Sequence, residues 1–68
     1  MDASTQEIKS LLEYLVKHNA DHAGEIMELA DRAQILGNQE AYKHIVEGVR
    51  LLNDSNESLR AGLAALEA

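Results

Sequence analysis

The sequence predicts an all-α protein in which two long helices fold back on each other as an antiparallel hairpin. Three observations lead to this prediction. Apolar residues recur every three or four positions in both halves of the chain, the spacing that places side chains on one face of an α-helix. A strong helix-ending signal, Gly37-Asn38, lies near the middle of the chain. Proline is absent, and good helix formers dominate the composition.

The first helix is predicted from about residue 5 to residue 36. Ser4 and Glu7 have the S-x-x-E spacing of a capping box, in which each side chain accepts a hydrogen bond from the other residue's backbone N–H. An apolar stripe follows, and two polar residues interrupt it. The members of the stripe are Ile8, Leu12, Leu15, Asn19, His22, Ile26, Leu29, Ala33 and Leu36.

Residues 37–38 are predicted to form the turn, and the second helix is predicted from about residue 39 to residue 66. Gly37 suits the left-handed position that ends a helix, and Asn38 is a good cap for the next one. The second stripe consists of Tyr42, Ile45, Val49, Leu52, Asn56, Leu59, Leu63 and Leu66. Because so short a connection joins them, the helices must be antiparallel neighbours.

The apolar surface is wider than a lone hairpin can bury. On the first helix it covers nearly half of the circumference, more than a single neighbouring helix covers. Chains shorter than ~70–80 residues seldom obtain enough stabilisation from one core. This chain has 68 residues and no cysteine for a disulfide. The sequence therefore predicts a homodimer in which two hairpins form a four-helix bundle. The alternatives are a tetramer and pairing with a different protein.

Two rows of small residues are predicted to pack at the dimer interface. The rows are Val16, Ala23 and Ala30 on the first helix and Ala41, Gly48, Ser55 and Gly62 on the second. Seven-residue spacing keeps side chains on one line, and small side chains let a neighbouring helix approach closely. Glycine inside a helix costs about 1 kcal/mol relative to alanine, so a packing reason is expected for Gly48 and Gly62.

Four polar residues are predicted to form a layer inside the bundle. They are Asn19, His22, Asn53 and Asn56. Polar groups in a small core cost free energy unless each finds a partner. Our first interpretation is that the layer fixes the register and the number of chains in the assembly, as buried Asn does in coiled coils.

A metal site is the alternative interpretation of this region. His18, His22 and Glu25 lie at positions i, i+4 and i+7, so their side chains point in similar directions. Two imidazoles and a carboxylate are suitable ligands for Zn, Ni or Co. Because histidine pairs with this spacing arise easily by chance, the first hypothesis includes no cofactor, and a divalent transition metal is the alternative.

Charge and motifs exclude several classes of function. The net charge of −6 arises from 12 acidic and 6 basic residues, and the basic residues are scattered. This distribution argues against a nucleic-acid partner and against an anionic membrane surface. The first five residues lack the features of a signal peptide, and no catalytic constellation is recognisable. We therefore expect a cytoplasmic, non-enzymatic module for protein interaction or assembly, with a small metal-binding protein as the alternative.

Most of the chain resembles a known group of proteins. The residues that carry this resemblance are Leu15, His18, Asn19, His22, Ala23, Asn53, Asn56 and Leu59. They resemble short, uncharacterised prokaryotic helical-hairpin proteins with an H-N-x-x-H segment midway along the first helix. The resemblance implies a hairpin that dimerises, and it implies no activity, substrate or cofactor. The plan also resembles plasmid-encoded RNA-binding hairpin dimers, but only in architecture, and the acidic surface argues against RNA.

Overall fold

The computed structural model describes residues 3–67, which form two antiparallel helices joined by a short turn. Helix α1 is Ala3–Ile35 and helix α2 is Gln39–Glu67. The Cα atoms extend over 53 × 14 × 11 Å, so the molecule is a single elongated hairpin. The predicted all-α class and the helical hairpin are confirmed. Residues 1, 2 and 68, which the expected domain range and the signal-peptide argument include, lie outside the described residues.

The first helix begins earlier than expected. Because α1 starts at Ala3, both Ser4 and Glu7 lie within it rather than forming a capping box at its entry. A cap contributes only about 1 kcal/mol, so local capping signals do not decide by themselves where a helix starts.

The turn follows the predicted capping chemistry. Gly37 has φ +84°, the left-handed conformation that glycine adopts without steric cost. Its N–H donates to the carbonyl of Gln34, and the N–H of Asn38 donates to the carbonyl of Ala33, which together form a Schellman motif. The Asn38 side chain then accepts a hydrogen bond of 3.1 Å from the N–H of Ala41 and caps α2. The end of α1 and the start of α2 are therefore both capped by residues of the turn itself.

Each helix uses one line of residues with seven-residue spacing as the centre of its contact with the other. The buried lines are Val16, Ala23 and Ala30 on α1 and Val49 and Asn56 on α2. Half-buried residues lie beside them, namely Leu12, Asn19, Ile26 and Ala33 on α1 and Ile45, Leu52, Leu59 and Leu66 on α2. This seven-residue seam is typical of helices that pack as a coiled coil.

Small side chains occupy the centre of this interface, and larger apolar side chains lie at its edge. The row Val16, Ala23 and Ala30, which we expected at a dimer interface, packs instead against α2 of the same chain. Among residues 3–67, the large apolar residues that stay exposed are Ile8, Leu11, Tyr14, Leu15, Leu29, Ile35, Leu36 and Leu51. The hairpin therefore buries its small row and leaves much of its larger apolar surface in solvent.

Candidate self-association surface and histidine cluster

One side of the hairpin places large apolar residues of the first half beside small residues of α2. Because the helices are antiparallel, the line that precedes the buried line by one residue comes to the same side on both of them. We call this surface the open face. Its members are Ile8, Leu15, His22, Leu29 and Leu36, together with Ala41, Gly48, Ser55 and Gly62. Ile8, Leu15 and Leu29 expose 53, 47 and 52% of their surface, so residues 3–67 leave the apolar part of the open face uncovered.

Charged side chains lie elsewhere. Most of their ion pairs join residues of the same helix, whereas Lys9 of α1 lies 3.5 Å from Oε1 of Glu67 on α2. Arg50 donates hydrogen bonds to Glu47 and, over 2.9 Å, to Asp54, and Arg60 donates over 2.8 Å to Glu57. The hydrogen bond from Arg50 lowers the pKa of Glu47, and the same contact raises the pKa of Arg50. Such exposed pairs contribute little stability. The nine residues of the open face include no Asp, Glu, Lys or Arg, so the two sides of the hairpin differ sharply in charge.

The helix glycines of the open face have no steric reason within the hairpin. A Cβ atom built on Gly48 or Gly62 would meet no heavy atom within 4 Å. Ser55, between them on the same line, is also exposed. The close approach of another helix, which the spacing predicts, is therefore not supplied by α1. Over the described residues, neither helix combines the length and apolar character needed to cross a membrane.

Two of the four predicted polar-layer residues meet in the interior of the hairpin. Asn19 Nδ2 donates to Asn56 Oδ1 over 3.2 Å, and Asn56 Nδ2 donates to the carbonyl of Val16 over 2.9 Å. Asn56 is only 2% exposed, and these two contacts satisfy it. His22 and Asn53 lie on the surface of the hairpin instead. A single chain therefore builds half of the expected layer.

A row of four polar or aromatic side chains crosses the middle of α1. Tyr14 stacks on His18, with ring centroids 5.6 Å apart and planes 15° apart. His18 and His22 meet edge to face, and their Nε2 atoms are 2.8 Å apart, a hydrogen-bond distance. On the other side of the ring, Nδ1 of His22 is 3.2 Å from Oε2 of Glu25. We call these four residues the histidine cluster.

The three expected metal ligands do not surround one point, because His18 and Glu25 lie on opposite sides of the His22 ring. His18 faces Nε2 of His22, whereas Glu25 faces Nδ1, and both nitrogens of one imidazole cannot bind the same ion. Within residues 3–67, no three His, Asp or Glu side chains form a group that could hold a metal. One chain therefore offers two imidazole nitrogens, with the Glu25 carboxylate 3.2 Å from the other nitrogen of His22.

Tyr14 is a member of the cluster that the sequence analysis did not single out. Its spacing of four residues from His18 places both rings on the same side of α1, and this signal was present in the sequence. The stacking contact restricts the orientation of the His18 ring. The ring is therefore held in place on one side by Tyr14 and on the other by His22.

Comparison with known proteins identifies the family but no function. The model of DUF8180, a domain of unknown function, matches residues 8–66, which include the whole turn, most of both helices, the open face and the histidine cluster. No curated protein and no solved structure matches the chain significantly. The resemblance to an uncharacterised family is confirmed at this level. The chain therefore belongs to the DUF8180 family.

Proposed function

We propose that this protein is a non-enzymatic assembly module that forms a homodimer through its open face, so that two hairpins make a four-helix bundle. The observation that carries the proposal is the composition and exposure of that face. It is free of Asp, Glu, Lys and Arg, and its three large apolar residues on α1 are each about half exposed. Covering such a surface with a second apolar surface removes both from water, which is favourable.

The size of the open face supports a stable interface. The hairpin is 53 Å long, and two helices of ~10 Å diameter side by side present a face of roughly 1,000 Å². A specific interface typically buries about 800 Å² on each partner. The open face therefore has the area of an interface rather than of a scattered set of surface residues.

The order of residues along the first half of the open face favours a second copy as the partner. Ile8 and Leu36 are equally distant from His22 along the chain, and so are Leu15 and Leu29. A two-fold axis that passes His22 at right angles to α1 would place Ile8 against the second copy's Leu36. It would also place Leu15 against the second copy's Leu29. Symmetric dimers present the same patch on both subunits, and this row matches itself under that operation.

The small row of α2 has nearly the same centre of symmetry. It consists of Ala41, Gly48, Ser55 and Gly62, and its midpoint falls between residues 51 and 52. Because Asn19 contacts Asn56, residue 22 of α1 is level with residue 53 of α2. The two midpoints are thus about 2 Å apart at 1.5 Å rise per residue. The same axis therefore brings small residues of one α2 against small residues of the other.

The proposal includes neither a nucleic-acid nor a membrane partner. Binding of phosphates requires clustered basic residues. The basic residues of this acidic chain are scattered. The non-enzymatic part rests on the lack of a recognisable catalytic motif in the sequence. A different protein as the occupant of the open face is an outcome of the experiment below.

Sedimentation equilibrium of the purified chain tests the proposal. We expect a dimer, and we expect Leu15→Glu to weaken it about 100-fold or more, since a carboxylate would be buried without a partner. Ala20→Glu is the matched control, because it adds the same charge at an exposed position on the opposite side of α1. It should leave the dimer intact.

Circular dichroism separates a loss of association from a loss of folding in these variants. A folded monomer for the unmodified chain, up to the highest concentration measured, would overturn the homodimer and leave the open face to a different protein. Equal weakening by Leu15→Glu and Ala20→Glu would show that net charge, and not the open face, governs association.

A further inference from the structure

We propose that His18 and His22 of two copies together bind one divalent transition-metal ion of the Zn²⁺, Co²⁺ or Ni²⁺ class, at the two-fold axis of the dimer. This inference rests on the proposed function, because each copy supplies only half of the ligands. It adds an inter-subunit metal site to a surface that contains no Asp, Glu, Lys or Arg.

The contact between the two rings has the form of half a metal site. The Nε2 atoms of His18 and His22 lie 2.8 Å apart, within hydrogen-bond distance. When the hydrogen of each neutral ring lies on Nδ1, both Nε2 lone pairs are free, and a metal ion can bind between them after a small separation of the rings. Two histidines at i and i+4 on a helix are a common source of paired nitrogen ligands, as in H-E-x-x-H sites.

Glu25 orients the ring that lies nearest the axis. Its Oε2 atom is 3.2 Å from Nδ1 of His22, on the side away from His18. Histidines that bind metals usually donate their second N–H to a carboxylate or carbonyl, which fixes the tautomer and leaves the other nitrogen free for the ion. Glu25 is therefore a positioning residue for His22 and not a ligand.

The histidine cluster lies at the two-fold axis of the proposed dimer. His22 is the central residue of the row Ile8, Leu15, His22, Leu29 and Leu36. The two-fold axis inferred from this row passes beside His22, so the second copy's His22 arrives next to it. Each His22 brings its own His18 at 2.8 Å. Four imidazole nitrogens then surround one point, which is the number that a tetrahedral site needs.

The ligand type determines the class of ion. Neutral imidazole nitrogens suit Zn²⁺, Co²⁺ and Ni²⁺, whereas Ca²⁺ and Mg²⁺ require oxygen ligands. Large apolar residues flank the cluster on both sides along the open face, and a dimer would enclose it between them. A metal at this place would link the two chains, so its binding would strengthen the dimer.

Isothermal titration calorimetry and Co²⁺ absorption of the chain purified without a polyhistidine tag test this inference. We expect one Zn²⁺ per two chains and the intense visible bands of tetrahedral Co²⁺. His22→Gln should abolish both signals. His44→Gln is the matched control, because His44 is exposed and lies 3.9 Å from a carboxylate oxygen of Glu40. It should bind Zn²⁺ as the unmodified chain does. Glu25→Gln should weaken binding about 10- to 100-fold without changing the stoichiometry.

Sedimentation with and without Zn²⁺ distinguishes failure of this inference from failure of the proposed function. A dimer that binds no Zn²⁺ at millimolar concentration would overturn the metal site and leave the assembly module intact. One Zn²⁺ per monomeric chain would overturn the shared site. A monomer under both conditions would overturn the homodimer together with the site. Equal loss of Zn²⁺ binding in His22→Gln and His44→Gln would show that binding is not specific to the cluster.

Discussion

Two rows of small residues have the same seven-residue spacing, but one row is buried in the hairpin and most of the other is exposed. The rows are Val16, Ala23 and Ala30 on α1 and Ala41, Gly48, Ser55 and Gly62 on α2. The first row is buried against α2 and at most 8% exposed. Ser55 and both glycines of the second row are exposed. Seven-residue spacing therefore places residues on one line of a helix, but it does not determine what packs against that line.

The largest difference between the rows should appear when a small residue is enlarged. Ala30 is fully buried, so Ala30→Leu should lower the free energy of unfolding by about 1–3 kcal/mol through overpacking. Ser55 is exposed in the hairpin, so Ser55→Leu should lower it only where the protein dimerises. Urea unfolding at two protein concentrations distinguishes these cases. Losses that are independent of concentration for both variants would erase the difference between the rows.

The buried polar contact should be the next most sensitive feature. Asn56→Ala removes the partner of Asn19 and the donor to the carbonyl of Val16, and should cost about 1–3 kcal/mol of unfolding free energy. Replacing both Asn19 and Asn56 by Leu leaves no unpaired amide and should restore most of that stability. Urea unfolding and sedimentation of both variants measure the two effects. A double variant less stable than the single one would mean that the amides do more than satisfy each other.

Alanine at the glycines should have opposite effects on the hairpin and on the dimer. A Cβ on Gly48 meets nothing within 4 Å, so Gly48→Ala should stabilise an isolated hairpin by up to about 1 kcal/mol through helix propensity. In the proposed dimer the same methyl group would keep the helices apart and raise the dissociation constant.

Gly24 offers a matched control for this experiment. It is an exposed helix glycine on α1, it is not part of the open face, and a Cβ there also meets nothing within 4 Å. Gly24→Ala should stabilise the hairpin without weakening the dimer. If Gly24→Ala and Gly48→Ala change the dissociation constant equally, the second row has no role in association.

The smallest effect is expected on the charged side of the molecule. The hydrogen bond from Arg50 lowers the pKa of Glu47 from its ordinary value of 4.5. The stabilisation from this pair is therefore complete above pH 4.5 and is lost as the pH falls through the lowered pKa. Because both groups are exposed, Glu47→Gln should barely change the thermal midpoint at pH 7, and the difference should vanish in acid. A large change at pH 7 would place this pair in an interface.

The polar residues illustrate how far a pattern in the sequence predicts a site. The position of Asn19 and Asn56 at matching depth on two antiparallel helices predicts their contact, and the structure contains it. The same pattern groups His22 and Asn53 with them, yet both side chains lie on the surface of the hairpin. Residues three positions apart on a helix differ by about 60° in direction. A stripe that includes both Asn19 and His22, or both Asn53 and Asn56, is therefore wider than the surface that one neighbouring helix covers.

The metal interpretation shows a second limit. Spacing predicts that His18, His22 and Glu25 point to similar sides of α1. It does not determine which ring nitrogen faces which neighbour, because that depends on the rotamer of His22. In the structure His18 lies against one nitrogen of His22 and Glu25 against the other, so Glu25 is a neighbour of the ring on the side away from His18.

The sequence by itself determined the features that depend on neighbouring residues along the chain. Two helices follow from residue spacing and helix propensity, and the turn follows from the conformational freedom of Gly37 and the side chain of Asn38. Only the tertiary structure decided how each helix is rotated about its own axis. That rotation depends on how closely the two surfaces fit, and the small row of α1 allows the closest contact. As a result several large apolar side chains and the histidines face outward.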